Sequence, residues 1–150
     1  MTSEDENPDE LRPVTPRIGP QYAAVPCSEV DGKLHVLLVT SRETRRWVIP
    51  KGWAEPNLSP EALAAKEAYE EAGAVGEVER ASIGAYQYRK RLKDGRQIEV
   101  EVGVFRMRVH HLLDEWPEAG ERERCWFPAE LAARLVQEQS LATLLRRLQG

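Results

Sequence analysis

One predicted helix limits what this chain can fold into, because both of its ends and both of its faces are marked in the sequence. Ser59 is a suitable N-cap, Pro60 suits the first helical turn, and Glu61 lies where the positive end of the helix dipole favours an acid. Gly73 predicts the C-terminal cap. One face carries mostly small apolar residues: Ala65, Ala68, Tyr69 and Ala72. Such a face packs closely, so we predict a helix lying on a sheet.

The other face of this helix is acidic. At about 100° per residue, Glu67, Glu70 and Glu71 fall within one sector of about 100°, and we expect them to point outward. A solvated acidic face is the alternative interpretation. However, carboxylates near a helix C-terminus face the negative end of the dipole, and Lys66 alone does not neutralise three of them. Because clustered hard oxygen ligands suit Mg²⁺ or Mn²⁺, we favour a divalent metal site.

Turn and strand patterns place this helix between two groups of strands. Predicted strands span residues 22–28, 34–39, 82–88, 98–109 and 125–127. Asp31-Gly32 and Asp94-Gly95 predict tight turns between neighbouring strands. The short apolar run 47–49 leaves residues 51–53 as a predicted loop, and leucines after Pro128 predict one or two helices. The order of strands, helix, strands and helix predicts a single mixed α/β (α+β) domain.

Composition excludes several protein classes. The chain has 150 residues with 25 Asp or Glu and 21 Lys or Arg, and none of its apolar runs approaches the roughly 20 residues of a membrane span. Five acids lie in the first ten residues, so we expect residues 1–19 to form a disordered acidic leader. Cys27 and Cys125 are too few and too far apart for a disulfide framework. We therefore expect buried or semi-buried thiols and a cytoplasmic location.

The spacing of the acidic helix resembles the Nudix box. That family's pattern is a Gly, a Glu six residues later and, after seven more residues, Arg-Glu-apolar-any-Glu-Glu-any-Gly-apolar. This chain matches it at Gly52, Glu67, Glu70, Glu71 and Gly73. The similarity extends over about residues 20–135, where 36–53 and 113–127 resemble the branch that cleaves diphosphoinositol polyphosphates and dinucleoside polyphosphates. The resemblance implies that residues 20–150 form an α/β/α sandwich with a mixed sheet.

Several positions depart from the family pattern. Leu58 stands where the family has its first Glu, and Lys66 stands for the Arg, whose bidentate fork lysine lacks. The two apolar positions are Ala68 and Ala74. In the family the Arg and first Glu support the site, so we consider Glu55 and Glu61 as replacements for the missing carboxylate, although neither has the family's spacing.

The resemblance implies hydrolysis of a phosphoric anhydride with Mg²⁺ or Mn²⁺ as cofactor. It assigns metal binding to Glu67, Glu70, Glu71 and the Gly52 carbonyl, and proton acceptance from the attacking water to Glu67 or Glu70. Because some family members take the base from further along the chain, five later acids also remain candidates for the general base. These are Glu99, Glu101, Glu118, Glu121 and Glu123.

Two basic groups flank the helix in sequence and predict binding of a small-molecule polyphosphate, because guanidinium groups bind phosphate bidentately. The predicted contacts are Arg42, Arg46, Lys51, Arg89 and Arg91. An ordinary solvated loop is the alternative for each group. Four aromatic residues, Trp47, Trp53, Tyr86 and Tyr88, either stack on a nucleobase or belong to the core. We expect no membrane or nucleic-acid partner, and a monomer or a homodimer.

Two classes of function therefore compete. One is a Nudix hydrolase acting on a nucleoside or inositol polyphosphate. The other is a Nudix-like domain that binds or regulates with little turnover, which Leu58 supports and the retained glutamates oppose. An RNA-end pyrophosphohydrolase or a nucleotide-sugar pyrophosphatase is a further possibility among enzymes, and RNA ranks below small polyphosphates as a substrate because the chain is not strongly basic.

Overall fold

A computed structural model describes residues 20–148, and the predicted leader lies outside them. Within this range the elements, in chain order, are β1 (Gln21–Val30), β2 (Lys33–Thr40), β3 (Trp47–Val48), β4 (Lys51–Trp53), α1 (Pro60–Ala72), β5 (Ala74–Val78), β6 (Gly84–Arg91), β7 (Gln97–Leu112), β8 (Arg124–Pro128), α2 (Ala129–Leu135) and α3 (Gln139–Arg147). None of these helices is long and apolar enough to span a membrane.

The strands form one mixed sheet in which β1 pairs with three other strands, β2, β4 and β7. Its main order is β3-β2-β1-β7-β5, with β8 on β2, β6 on β7 and β4 on β1. Only the β1–β7 pair is parallel among these strands. The last part of β1 pairs with β2, whereas its first residues pair with β4. The prediction of a loop at residues 51–53 is therefore wrong, because the start of β1 offers β4 its backbone hydrogen-bonding groups.

Helices cover both faces of the sheet and enclose two apolar cores. Alternation along β1 sends Ala23 and Val25 to one face and Ala24 to the other. The first core is covered by α2 and α3, and the second by α1. This arrangement confirms the predicted α/β/α sandwich with a mixed sheet.

The ends of α1 agree with the sequence, but its rotation does not. Ser59 Oγ accepts a hydrogen bond from the Ala62 N–H at 3.2 Å, and Gly73 adopts a φ of 64° at the other end. The buried residues are Leu63, Ala64, Ala68, Glu71 and Ala72. Tyr69 is 44% exposed, so its predicted contact with the sheet is wrong. The row of alanines four residues apart packs on the sheet and turns Glu71 inward, which corrects its predicted outward orientation.

A loop between β7 and β8 wraps the C-terminal end of α1. Helix ends leave their last carbonyls without partners inside the helix. Here the four carbonyls from Glu70 to Gly73 all accept a hydrogen bond from residues 113–124, which we name the helix clamp. The Glu118 N–H donates to the Glu70 carbonyl and the Trp116 indole to the Glu71 carbonyl. The Arg124 guanidinium donates to the Ala72 carbonyl and the Leu113 N–H to the Gly73 carbonyl, and all four distances are 2.8–3.0 Å. The clamp therefore fixes the end of the helix that carries the acids.

The two cysteines lie in different environments and are both free. Cys27 is buried, and burial raises the pKa of its thiol to about 11. Cys125 is exposed, so the expectation of a buried or semi-buried thiol holds for Cys27 alone.

Candidate active site

The centre of the site is a pair of carboxylates one helical turn apart on α1. Glu71 is only 6% exposed, and burial raises its pKa to about 8 against the opposing charges of Arg122 and Lys51. Burial also raises the pKa of the half-buried Glu67, while a hydrogen bond with Glu71 acts in the opposite direction. Their spacing of four residues on one helix places the two carboxylates side by side, and the inward rotation of α1 buries Glu71.

Strand β4 brings its backbone against this pair. A Cβ atom added at Gly52 would overlap the carboxylate of Glu67, so the position of that carboxylate depends on glycine at residue 52. Two carboxylates beside a backbone segment are the hard oxygen donors that a divalent cation prefers, and these residues fit such an ion. No group of three or more His, Cys, Asp or Glu side chains converges as a metal site within residues 20–148. The structure thus joins Glu67, Glu71 and Gly52, while Glu70 contributes its charge from beside them.

A buried arginine that sequence reasoning missed supports the pair. Arg122, in the helix clamp, has a side chain only 9% exposed and donates from Nε to Glu118 Oε1 at 2.7 Å. Its Nη2 lies 3.7 Å from Glu71 Oε2, and its Nη1 donates to the Thr40 carbonyl at 3.0 Å. Arg122 is 51 positions from Glu71 in sequence, so no local spacing could have predicted this contact.

The later acids proposed as bases occupy different places. Glu118 joins the site through Arg122, and its charge acts on both Glu67 and Glu71. Two others form exposed ion pairs, Glu121 with Arg42 at 3.0 Å and Glu123 with Arg45 at 3.4 Å. The remaining two lie on β7, where Glu99 is opposite Arg89 and Glu101 is opposite Gln87.

Two of the predicted phosphate ligands lie close to the acidic pair. Lys51 lies with Nζ 5.1 Å from the centre of the Tyr88 ring. Burial lowers the pKa of Lys51 to about 8, while the charges of Glu71 and Glu138 raise it and that of Arg46 lowers it further. Arg46 donates to Glu138 at 3.0 Å. These charge interactions place Lys51 and Arg46 near Glu71, and we name the space between these three side chains the cleft. Arg42 lies at the rim of this space, where its ion pair with Glu121 and the nearby charges of Glu118 and Glu71 raise its pKa.

The β6–β7 hairpin sends its cations to both faces of the sheet. Tyr86 and Tyr88 belong to the core under α3, so alternation places Lys90 on their face. Accordingly, the charge of Lys90 lowers the pKa of Lys51. Arg89 and Arg91, the residues singled out from the sequence, lie on the opposite face of β6.

The aromatic residues serve mainly as walls of the cleft and the core. Tyr86 is 4% exposed and belongs to the core. Tyr88 is half-buried and donates from its hydroxyl to Gln21 Oε1 at 2.8 Å. Trp47 packs edge-on against Phe127 with ring centres 5.0 Å apart, and Trp53 packs against the same core.

An ion pair lies where the sequence departs from the family pattern. Lys66 Nζ donates to Glu55 Oε2 at 2.7 Å, and this contact raises the pKa of Lys66. Leu58 is linked to the same segment, since its N–H donates to the Glu55 carbonyl. Of the two acids considered as replacements, Glu55 is the one that meets Lys66.

Comparison with known sequences identifies the domain. The model of the NUDIX domain matches residues 20–148. The mouse diphosphoinositol polyphosphate phosphohydrolase 3-alpha is 32% identical over 133 residues, covering 87% of this chain and 77% of that protein. Nudix hydrolase 4 of Arabidopsis thaliana is 34% identical over 105 residues, covering 69% of this chain and 48% of that protein.

Solved structures show the same fold at lower sequence identity. The Ap4A hydrolase of C. elegans superposes with a TM-score of 0.60 at 19% identity, over 87% of this chain and 96% of that one. The NUDIX domain of Shewanella oneidensis NrtR, solved with ADP ribose, gives a TM-score of 0.64 at 16% identity, over 96% and 94% of the two chains.

Proposed function

Because this chain belongs to the Nudix family and is a Nudix pyrophosphohydrolase, we propose that it hydrolyses a phosphoric anhydride bond in a nucleoside or inositol polyphosphate with Mg²⁺ or Mn²⁺. The observation that carries the proposal is the Glu67–Glu71 pair beside Gly52, with Lys51 and Arg46 facing the same cleft.

The chain's residues divide the work of the reaction between them. Glu67, Glu71 and the Gly52 carbonyl would hold the cation, with Glu70 adding negative charge beside them. When bound, such an ion neutralises anhydride oxygens and lowers the pKa of a water. Arg122 keeps Glu71 in place from the helix clamp.

The proton of the attacking water requires a carboxylate base. We assign this role to Glu67, which is half-buried and lies at the backbone of β4, and we keep Glu70 as the second catalytic candidate. Glu118 is a weaker candidate, because Arg122 already occupies its carboxylate at 2.7 Å.

The cations define the substrate side of the cleft. Lys51 and Arg46 would bind phosphate oxygens directly, and Arg42 would assist from the rim. Arg89 and Arg91 would act only on a substrate that extends around the edge of β6. The mouse relative is named for diphosphoinositol polyphosphates, and a compact polyphosphate of that class fits this concentration of positive charge. We expect the reaction to take place in the cytoplasm.

The test is phosphate release from a panel of substrates with and without Mg²⁺ or Mn²⁺. The panel contains diadenosine polyphosphates, nucleoside di- and triphosphates, ADP-ribose and an inositol pyrophosphate. Glu71→Gln should lower metal-dependent kcat by about a hundredfold or more, because it removes a charge that no other group in the pair replaces. Glu61→Gln changes an acid of the first turn of the same helix and should leave kcat unchanged.

The result also separates catalysis from binding alone. A folded wild-type protein that binds metal and polyphosphate but releases no phosphate from any substrate would favour the Nudix-like binding domain. Full activity in the Glu71→Gln variant would contradict the role given to the carboxylate pair.

A further inference from the structure

Glu138, in the turn between α2 and α3, makes a contact that its position in the helix does not explain. It is the N-cap residue of α3, where an acid normally accepts hydrogen bonds from helix N–H groups, yet its side chain forms no cap. Its Oε2 instead accepts from Arg46 Nη2 at 3.0 Å. The Glu138 side chain is 14% exposed, whereas Glu130 on α2, paired with Arg146 at 3.3 Å, is 54% exposed. The Glu138–Arg46 pair is therefore partly enclosed.

Arg46 is held at both its backbone and its side chain. The Arg46 N–H donates to Ser41 Oγ at 3.1 Å, and its carbonyl accepts from the Ser41 N–H at 2.8 Å. With Nη2 bound to Glu138, the other terminal nitrogen, Nη1, is buried and has no hydrogen-bond partner among residues 20–148. A buried guanidinium N–H without an acceptor is costly, and a phosphate oxygen is the acceptor that best matches it.

A second cation lies in the same cleft. Within the described part of the chain, Lys51 has no carboxylate at ion-pair distance, and its ammonium lies over the ring of Tyr88. The charges of Arg46 and Glu138 both act on Lys51, on Tyr86 and on Tyr88, so the Arg46–Glu138 pair lies near the contact of Lys51 with the Tyr88 ring. Three cations, Lys51, Arg46 and Lys90, and two carboxylates, Glu138 and Glu71, act on the cleft, which leaves it with an excess of positive charge, as an anion site requires.

We propose that Glu138 is a positioning residue, which holds the guanidinium of Arg46 so that Arg46 and Lys51 together bind substrate phosphates lying beyond the Glu67–Glu71 pair. The identity of the ligand rests on the proposed function, whereas the placement of Arg46 does not. Glu138 reaches no reacting atom in this role and acts only through Arg46.

Whether Glu138→Ala weakens or tightens anion binding distinguishes a positioning role of Glu138 from a purely electrostatic one. The probe is inorganic tripolyphosphate, titrated calorimetrically into metal-free protein. If Glu138 acted only through its charge, Glu138→Ala would tighten binding of the anion, because a negative charge near the site is lost. Positioning predicts the opposite, a loss of about five- to tenfold, because Arg46 becomes free to move. Glu138→Gln keeps an oxygen that accepts from Arg46, so it should bind at least as tightly as the wild type.

Two further variants make the result specific to Arg46. In an Arg46→Ala background, adding Glu138→Ala should cause no additional loss, because the residue to be positioned is absent. Glu130→Ala removes the exposed pair on the adjacent helix and should leave binding unchanged. If Glu138→Ala does not fold, Glu138→Asp replaces it, since the shorter side chain keeps the charge but loses its reach to Arg46, and it should weaken binding similarly.

The outcomes distinguish this inference from the proposed function. Equal or tighter binding in Glu138→Ala, or no tripolyphosphate binding by the wild type, would overturn the role of Glu138 even if metal-dependent turnover is present. The expected binding pattern in a protein that hydrolyses no anhydride would support the role of Glu138 and reject the enzymatic proposal.

Discussion

At the scale of single residues, the site depends on how closely backbone and side chains approach. Gly52 is the clearest case, because its missing Cβ provides the space occupied by the carboxylate of Glu67. The family spacing predicted that Gly52 belongs to the site. The physical reason, a strand passing against a glutamate, becomes visible only in three dimensions.

Gly52→Ala is expected to lower kcat by about a hundredfold, because a displacement of about 1 Å at a catalytic group has an effect of that size. Metal-dependent phosphate release measures it, and thermal unfolding checks the fold. Gly120→Ala is the matched control, since a Cβ there meets nothing within 4 Å and activity should persist. Unchanged kcat in Gly52→Ala would show that Glu67 can move without consequence.

At the scale of secondary structure, α1 shows what sequence patterns can and cannot determine. Its ends were predicted correctly, because caps depend on neighbouring residues. Its rotation was not, since the faces differ little in hydrophobicity and the packing of Ala64, Ala68 and Ala72 decides between them. Strand β5 was also missed, because AVGEV is short and contains a glycine, and its partner β7 lies far along the chain.

The helix clamp yields a test of how the end of α1 is supported. The guanidinium carbon of Arg124 lies 3.9 Å from the centre of the Trp116 ring. Trp116→Phe keeps an aromatic ring at this place, but it removes the indole N–H that donates to the Glu71 carbonyl. Leaving that carbonyl without a partner should lower the free energy of unfolding by about 1–3 kcal/mol. Chemical denaturation measures the change.

A matched substitution isolates the hydrogen bond. Trp126→Phe alters a tryptophan that packs on the α1 core, and it should lower stability through packing while leaving the end of α1 intact. Hydrogen exchange of the amides in the last turn of α1 should therefore accelerate in Trp116→Phe and not in Trp126→Phe. Equal exchange in the two variants would contradict the clamp's role.

At the scale of the whole molecule, the site combines residues from five separate parts of the chain, 42–52, 67–71, 88–90, 118–122 and Glu138. Local spacing found the acidic helix and the basic segment before β4. It could not find Arg122 or Glu138, because each acts on a partner more than 50 positions away. It also did not separate Lys90 from Arg89 and Arg91, since assigning these residues to faces requires the pairing of β6 with β7.

Binding of a cation at the Glu67–Glu71 pair should stabilise the entire domain. At a metal concentration about a hundred times Kd, linkage gives about 2.7 kcal/mol. For a chain of this size that corresponds to a rise in Tm of roughly 5–10 °C. Calorimetry with Mn²⁺ and Mg²⁺ should show this rise for the wild type and for Glu61→Gln, and little for Glu71→Gln. An equal rise in Glu71→Gln would place the ion elsewhere.

The two apolar cores have a consequence for how such a protein changes over evolution. The acids rest on the core under α1, whereas Trp47, next to Arg46, and Val136 and Leu141, on either side of Glu138, rest on the core under α2 and α3. Mutations in the core under α2 and α3 can therefore reshape ligand preference while the hydrolytic groups on α1 keep their support. A lineage could thus acquire new substrates without passing through inactive ancestors, and a directed-evolution library confined to that half would exploit the same independence.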